Sequence, residues 1–409
     1  MTRRGEGPAA GARVLFVTYT NPAGYPPIER AAKVFADLGA EVRVLGASGL
    51  VTDTIAPRSD PRIDIRLISR VGSGVRQVVS YARFTVWAAY HLLRWRPRWL
   101  YVSDPFAAPV GIAGWLLRIT VLYHEHDVPA PATHSPYSRL VGAMRRLLLR
   151  RAPIVIAPSA GRAAVLSRVR GRDDVVVVWN CPSMEEIGSR KHGGGSSTLR
   201  LAYHGSLVPA RLPVAVVDAM ASLRGPVSLT LVGYEPFGGT AYVDALRARA
   251  RELGLEDAVR YLGTLPRESM LREAATADLG LALMPMRSSD VNEQTMAGAS
   301  NKAFEYLAQG TPVLVSDLPD WRAMFVDSGV ALCCASADAS SIAAALDEAL
   351  SDRARLSAMG ERGRGLVKAA WNYETRFRAV LERLGLASPG GSVPAADVSD
   401  SLSVSAGRR

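Results

Sequence analysis

The sequence predicts an α/β protein of two doubly wound domains, and three observations predict it. Short, continuously apolar runs alternate with segments of helical periodicity, the pattern of parallel strands covered on both faces by crossover helices. The pattern occurs twice, on either side of residues 188–198, a stretch rich in glycine and serine without periodicity. The chain has 409 residues and 48% hydrophobic content, too much for one ordinary domain and suited to two of ~150–200 residues.

In order, residues 13–19 are an apolar run ending in a turn at Asn21-Pro-Ala-Gly24. Residues 28–38 have helical spacing and close on Gly39, and 42–45 form the next strand, a β–α–β unit of about thirty residues. Val75, Val79, Ala82, Val86, Ala89 and Leu93 fall on one face of a helix. Residues 99–102, 121–123, 154–157 and 175–178 are further strands of the first domain. The second domain repeats the logic with strands at 199–203, 228–232, 259–262, 279–283, 313–315 and 330–332. Its helices are expected at 212–223, 242–253, 267–275, 302–309 and 342–350. The boundaries follow: a first domain at 12–187, a linker at 188–198, a second domain at 199–370, a last helix at 371–387 and a low-complexity, disordered tail at 388–409. Ligands of such open sheets bind at the carboxyl ends of the strands, here in a cleft between the two domains.

Composition excludes several classes. Three cysteines (Cys181, Cys333, Cys334) make no paired framework and no metal-ligand spacing, which points to a reducing, cytosolic setting. The first eleven residues form a polar, flexible lead without the apolar stretch of a signal peptide, and no apolar run reaches the ~18–20 residues that span a bilayer. Of 49 basic residues, 45 are arginine. Residues 1–191 hold 27 basic against 14 acidic side chains and 192–409 hold 22 against 24, so all the excess charge lies in the first half. That asymmetry implies an acidic partner: nucleic acid, an anionic membrane or a phosphorylated substrate.

The most informative segment is Ser300-Asn-Lys-Ala-Phe-Glu-Tyr-Leu-Ala-Gln-Gly-Thr-Pro-Val-Leu-Val-Ser-Asp317. A small polar residue opens a helix, Glu305 sits one turn in, Gly310 caps it and Pro312 begins a buried strand. The free N–H groups at that start suit an anion, with Lys302 a cation beside it. Glu305 is placed to accept hydrogen bonds from vicinal hydroxyls, as on a ribose. A plain cap at Ser300 with a dipole partner at Glu305 fits the same pattern.

From Asn301 onward this segment resembles the donor-site signature of GT-B glycosyltransferases similar to family 4, the retaining group, in an Asn-Lys-x-Phe-Glu-Tyr version. Further resemblances run along the chain: Ala202-Tyr-His-Gly-Ser-Leu (strand and glycine loop), Val259-Arg-Tyr-Leu-Gly-Thr-Leu (the strand before the base-reading backbone), Val178-Trp-Asn-Cys-Pro (the inter-domain segment) and Trp371-Asn-Tyr-Glu (the start of a last helix that crosses back to the first domain). The resemblance implies a GT-B architecture, two Rossmann-like domains facing across a cleft. It implies transfer of a sugar from a nucleotide-diphosphate sugar to an acceptor hydroxyl, with retention. Position by position, Glu305 matches the ribose glutamate, and Arg211 matches a basic residue that holds the diphosphate in place of a metal ion. Ser300, Asn301 and Lys302 supply the helix start, and Gly205 and Gly24 the glycine loops. His126-Asp127 resembles the pair in which the histidine contacts the transferred sugar. Two positions depart from the pattern: Ala297 stands where a second glutamate is common, and Ser206 where the first basic residue of the glycine loop stands. A nucleotide-sugar epimerase of the same fold, or a non-catalytic sugar-nucleotide-binding partner of a glycosylation complex, remain the alternatives.

No cofactor and no metal are expected: His124 and His126 share a strand face, yet no further His or Cys cluster completes a site. Residues 137–151 form a basic amphipathic helix whose Arg139, Arg145, Arg146, Arg150 and Arg151 have no acidic neighbours in sequence. It suits either an anionic membrane surface or packing on the sheet. Nucleic acid is not expected, because the arginines are not interleaved with stacking aromatics. The acceptor is then a glycan, a lipid-linked saccharide or a small molecule, and the location cytoplasmic, peripheral at the inner face of the plasma membrane if that helix binds lipid.

Overall fold

The computed structural model describes residues 7–48, 60–70, 74–129, 136–188, 197–236 and 239–387. Most of the expected linker (189–196) and the expected tail (388–409) lie outside the described residues. The chain forms two compact units. The first runs to Asn180 and includes Arg376 to residue 387; the second is Cys181–Thr375.

The first unit is a seven-stranded sheet of β1 (Arg13–Thr18), β2 (Glu41–Ser48), β3 (Ile63–Ser69), β4 (Trp99–Ser103), β5 (Thr120–His124), β6 (Ile154–Ala157) and β7 (Val176–Val177). The order is β3-β2-β1-β4-β5-β6-β7 and every pairing is parallel. Alternation along each strand divides the side chains between two helical layers. Leu15, Val17, Leu100, Val102, Val121 and Tyr123 pack under the helices Val75–Trp95, Ala108–Leu116 and Pro136–Arg151. Phe16, stacked on Tyr101 at 4.5 Å, meets the opposite layer through Phe35 of the helix Pro26–Asp37. Phe377, from the C-terminal segment, packs edge-on against Phe35 at 5.9 Å.

The second unit is a six-stranded parallel sheet of β8 (Leu199–Ser206), β9 (Val227–Tyr234), β10 (Val259–Tyr261), β11 (Leu279–Ala282), β12 (Val313–Ser316) and β13 (Ala331–Cys334), ordered β10-β9-β8-β11-β12-β13. Strand order reverses at β1/β4 in one sheet and at β8/β11 in the other, the switch points where ligands enter open sheets.

Several expectations change. The lead is not all free: Ala9 is buried and its N–H donates to Leu38 O at 3.0 Å. Residues 181–187, counted above with the first domain, pack on the second unit; Gln309 Nε2 donates to Glu186 O at 2.7 Å. The stripe Val75–Val79–Val86–Leu93 does lie on one helix face, but that face is exposed while Tyr81, Phe84, Ala88 and Leu92 meet the core. Arg145 is buried against an acid, unlike its neighbours on the helix.

One close approach fixes the second core. A Cβ at Gly280 of β11 would lie 2.3 Å from the ring of Tyr306, whose hydroxyl donates to Ala202 O of β8 at 2.8 Å. Gly280→Ala is therefore expected to lower the stability of the second unit by about 1–3 kcal/mol through overpacking. Thermal or urea unfolding followed in that unit checks it, and an unchanged midpoint would show that the ring yields freely.

Candidate functional site

In the second unit, the carboxyl end of β8 and the start of the helix Asn301–Ala308 meet. Ser300 occupies the N-cap position with extended backbone (φ −82°, ψ 115°), and its side chain makes no capping bond. The helix is buried from Lys302 through Ala308. Phe304 holds it in a ring cluster with Phe325 at 5.4 Å and Trp371 at 5.8 Å. Gly310, at φ +77°, turns the chain out of the helix into β12.

Two opposite charges sit on this buried helix. Glu305 Oε1 accepts from Arg267 Nη2 at 2.7 Å, and Arg267 Nε also bonds Glu186, so one guanidinium bridges two buried carboxylates. Burial would lower the Arg267 pKa, but Glu305 and Glu186 outweigh it and the group stands above its ordinary value. Lys302 Nζ donates to Tyr203 OH at 2.8 Å and lies 4.2 Å from that ring's centre. Burial, with the nearby Arg211 charge adding to it, drives the Lys302 pKa well below the lysine range. Arg211 is half-buried on the loop after β8. Gly205, at φ +108°, ends β8 in a conformation natural to glycine, and a Cβ there would stand 3.3 Å from Lys302 Nζ.

His204 completes the cluster. Its ring lies 4.6 Å from that of Tyr306, and its Nε2 is 3.7 Å from Glu305, beyond hydrogen-bond reach. Burial holds its pKa down to about 4, against the pull of Glu305, so the imidazole is neutral at pH 7 and the contact is no ion pair. That buried Nε2 has no hydrogen-bond partner. Unpaired buried nitrogens are uncommon in finished cores and mark places where a ligand can complete the bonding.

In the first unit, β5 ends at His124, and the rings of His124 and His126 lie 3.9 Å apart. His124 Nδ1 meets Tyr101 OH at 2.5 Å; its Nε2 and both nitrogens of His126 have no partner. Burial, with help from Arg162, holds His126 down to about 3 and His124 well below its usual value, so both are neutral. Between them Glu125 points into the core, accepting from Tyr123 OH and from Arg145 Nε and Nη2, each at 2.6 Å. Asp127 is exposed and pairs with Arg162 Nη1 at 3.1 Å. Gly24 ends the turn Pro22–Gly24 beside Tyr25, whose ring lies 5.7 Å from that of His126; the turn is set by Asn21, which accepts from Ala23 N, and Gly24 is not among the positive-φ glycines.

Thus Gly205, Arg211, Ser300, Asn301, Lys302 and Glu305 gather at one strand end, and Gly24, His126 and Asp127 at another. Sequence reasoning missed Arg267, Glu186, His204 and Asp104. Asp104 follows β4 at φ +67°, a strained value for a non-glycine residue, and its Oδ1 accepts the His126 N–H at 3.2 Å. Burial and the Asp127 charge push its carboxyl up to about 8. The one readable signal was its place, a polar residue at the carboxyl end of a strand beside the switch point. Among the described residues no group of three His, Cys, Asp or Glu gathers as metal ligands would.

The bridge makes a prediction. Arg267→Met leaves Glu186 and Glu305 buried and facing each other, and should cost the second unit about 3–5 kcal/mol at pH 7. With their pKa values raised, both carboxyls protonate as pH falls and no longer need the guanidinium, so the deficit should shrink toward pH 5. A pH series of unfolding midpoints for both proteins checks this; a pH-independent deficit would mean a packing effect alone.

Comparison with known proteins agrees with this layout. Residues 28–184 match the family described as Glycosyltransferase Family 4, and residues 186–366 match Glycosyl transferases group 1. A D-inositol 3-phosphate glycosyltransferase of Nocardia farcinica is 27% identical over 278 residues, 62% of this chain and 59% of that protein. A GDP-mannose-dependent alpha-(1-6)-phosphatidylinositol monomannoside mannosyltransferase of Mycobacterium tuberculosis is 28% identical over 172 residues, 41% of this chain and 43% of that one. The chain thus matches about half the length of these curated relatives. In structure it is similar to a sucrose-phosphate synthase of Thermosynechococcus elongatus (TM-score 0.67, 18% identity, covering 92% of this chain and 100% of that one). It is also similar to Anabaena HepE in complex with UDP (TM-score 0.66, 18% identity, 91% and 99%). With two parallel-sheet units, matches to the two families in succession across residues 28–366 and neighbours of the same fold, the chain belongs to the GT-B glycosyltransferases of the family 4 type.

Proposed function

We propose that the protein transfers a sugar from a nucleoside-diphosphate sugar to an acceptor hydroxyl, with retention and with side-chain cations in place of a metal. The observation that carries this reading is the junction of β8 with the helix Asn301–Ala308, where a carboxylate, a lysine, an arginine and a glycine turn converge. Glu305 would accept the vicinal ribose hydroxyls, and the Ser300–Lys302 backbone and Gly205 would approach the phosphates. Arg211 and Lys302 would neutralise the departing diphosphate. His126, neutral and with both nitrogens unpaired, would hydrogen-bond the transferred sugar, and Asp127 would steady it. The inositol phosphate and phosphatidylinositol named for the two relatives support a polar or lipid-linked acceptor, and the Asn-Lys-x-Phe-Glu-Tyr segment supports a subgroup of its own. No helix among the described residues is long and apolar enough to cross a membrane. We further propose a cytoplasmic location, with attachment to the inner face of the plasma membrane through the basic helix Pro136–Arg151.

Calorimetry with UDP, GDP and their sugars tests the donor site. Glu305→Ala should weaken binding at least about 100-fold, the loss of two hydrogen bonds to a charged group; an unchanged dissociation constant would remove Glu305 from the ribose. Binding without transfer or hydrolysis for every donor would favour the non-catalytic alternative.

The lysine adds a pH test. Its pKa is depressed in the empty site, and a diphosphate beside it raises that pKa. Binding should therefore take up a proton, and affinity should fall as pH rises. Calorimetry in buffers of different ionisation enthalpy should show this uptake for the native chain and not for Lys302→Met; equal uptake in both would place the proton elsewhere.

A further inference from the structure

The longest helix of the first unit wears its apolar stripe outside. On Val75–Trp95, Val75 is 80% exposed, Val79 62%, Val86 70%, Tyr90 59% and Leu93 57%. At 100° per residue these five fall within about 60° of arc, on the side away from the core-facing Tyr81, Phe84, Ala88 and Leu92. A soluble helix ordinarily reverses this arrangement. Arg76, Arg83 and Arg94 are exposed along one flank of the stripe.

The stripe is not isolated. The helices Ala108–Leu116 and Pro136–Arg151 pack beside it in the same layer. They add exposed Leu116 and, on the third helix, Leu140 and Leu147 among the exposed Arg139, Arg146 and Arg150. None of the three helices contains an aspartate or a glutamate. An apolar ridge edged by cations with no anions fits one kind of partner: an interface whose headgroups are negative and whose interior is hydrocarbon.

We propose that the outer face of this three-helix layer docks on an anionic lipid bilayer, with the Val75–Leu93 stripe entering the headgroup–acyl boundary and the arginines meeting lipid phosphates. This deepens the membrane attachment proposed above and rests on it, but moves the inserted element from the basic helix to its neighbour. It is independent of donor binding, which belongs to the second unit.

Flotation of the full chain with vesicles of phosphatidylcholine alone, or with anionic phosphatidylglycerol added, tests it. The native chain should bind the anionic vesicles, and binding should weaken with salt. Val79→Gln with Val86→Gln, at exposed positions, should leave the melting temperature unchanged and weaken partitioning at least roughly tenfold. Arg83→Gln should weaken it by about fivefold, and less at high salt. If the double valine variant binds as well as the native chain while Arg146→Gln with Arg150→Gln does not, the stripe is refuted and attachment through the basic helix stands. If the native chain binds no vesicles, both fall. If light scattering shows a dimer that the valine variant abolishes and vesicles do not bind, the face joins two copies and the proposal is overturned.

Discussion

The second unit is organised by the burial of two opposite charges on one short helix with almost no exposed side. An ion taken from water costs several kcal/mol unless it is paired and hydrogen-bonded. Glu305 meets that requirement through Arg267, and Arg267 through a second carboxylate, Glu186, from the segment that opens the unit. Lys302 meets it differently: burial drives its pKa well below the lysine range, and its Nζ hydrogen-bonds Tyr203. The rest of the helix then has to be immovable, and it is: Phe304 sits in an aromatic cluster, the Tyr306 hydroxyl is tied to β8, and Gly280 clears the space for that ring. A site whose charges are this costly to misplace is built on rigid packing and not on loops.

The first unit handles the same end of its sheet with neutral groups. Its buried Glu125 is saturated by Tyr123 and Arg145 and faces the core. Among the groups left with bonding capacity are the imidazoles of His124 and His126, kept uncharged by burial. His126 with free nitrogens can donate and accept toward sugar hydroxyls without demanding a counter-ion. On the proposed reading, the charged groups of one unit serve the phosphates and the neutral polar groups of the other serve the saccharide. Asp104, strained and held toward its protonated form, belongs with the second style of recognition.

Most of the fold was legible because buried parallel strands are continuous apolar runs. Twelve of the thirteen strands among the described residues were read, with ends off by a few residues. The exception, β3, has the sequence Ile-Asp-Ile-Arg-Leu-Ile-Ser and lies at the sheet edge, where alternation replaces the continuous run. Helix Arg353–Ala369 was missed for a related reason: its glycines and charges hide the periodicity that Leu356, Met359 and Val367 carry. At the site, Lys302 and Glu305 were legible because they belong to one contiguous motif. Arg267 was not, since its partners lie 81 and 38 residues away and nothing local distinguishes it among 45 arginines. Periodicity also found the stripe on Val75–Trp95 without telling which way it faces. Direction is decided by the other residues of the helix: Phe84 and Leu92 offer the sheet more volume than valine does, and they take the core.

The charge excess of the first half has a location. Many of its arginines are occupied in pairs: Arg13 with Glu41, Arg43 with Asp64, Arg62 with Asp60 and Asp37, Arg145 with Glu125, Arg162 with Asp127, and Arg170 with Asp174. Of the arginines these pairs leave over among the described residues, Arg76, Arg83, Arg94, Arg139, Arg146, Arg150 and Arg151 lie on two acid-free helices of one layer, whereas the helix of the other layer, Pro26–Asp37, carries Glu29 and Asp37 beside its own cations. Charge gathered on one face gives the unit a direction in an external field, felt over a Debye length of roughly 8–10 Å at physiological salt. Had the excess been spread over both layers, it would attract anions without orienting the sheet. Confined to the face that also exposes valine and leucine, it gives the proposed docking face an attraction to a negative surface that the opposite layer lacks.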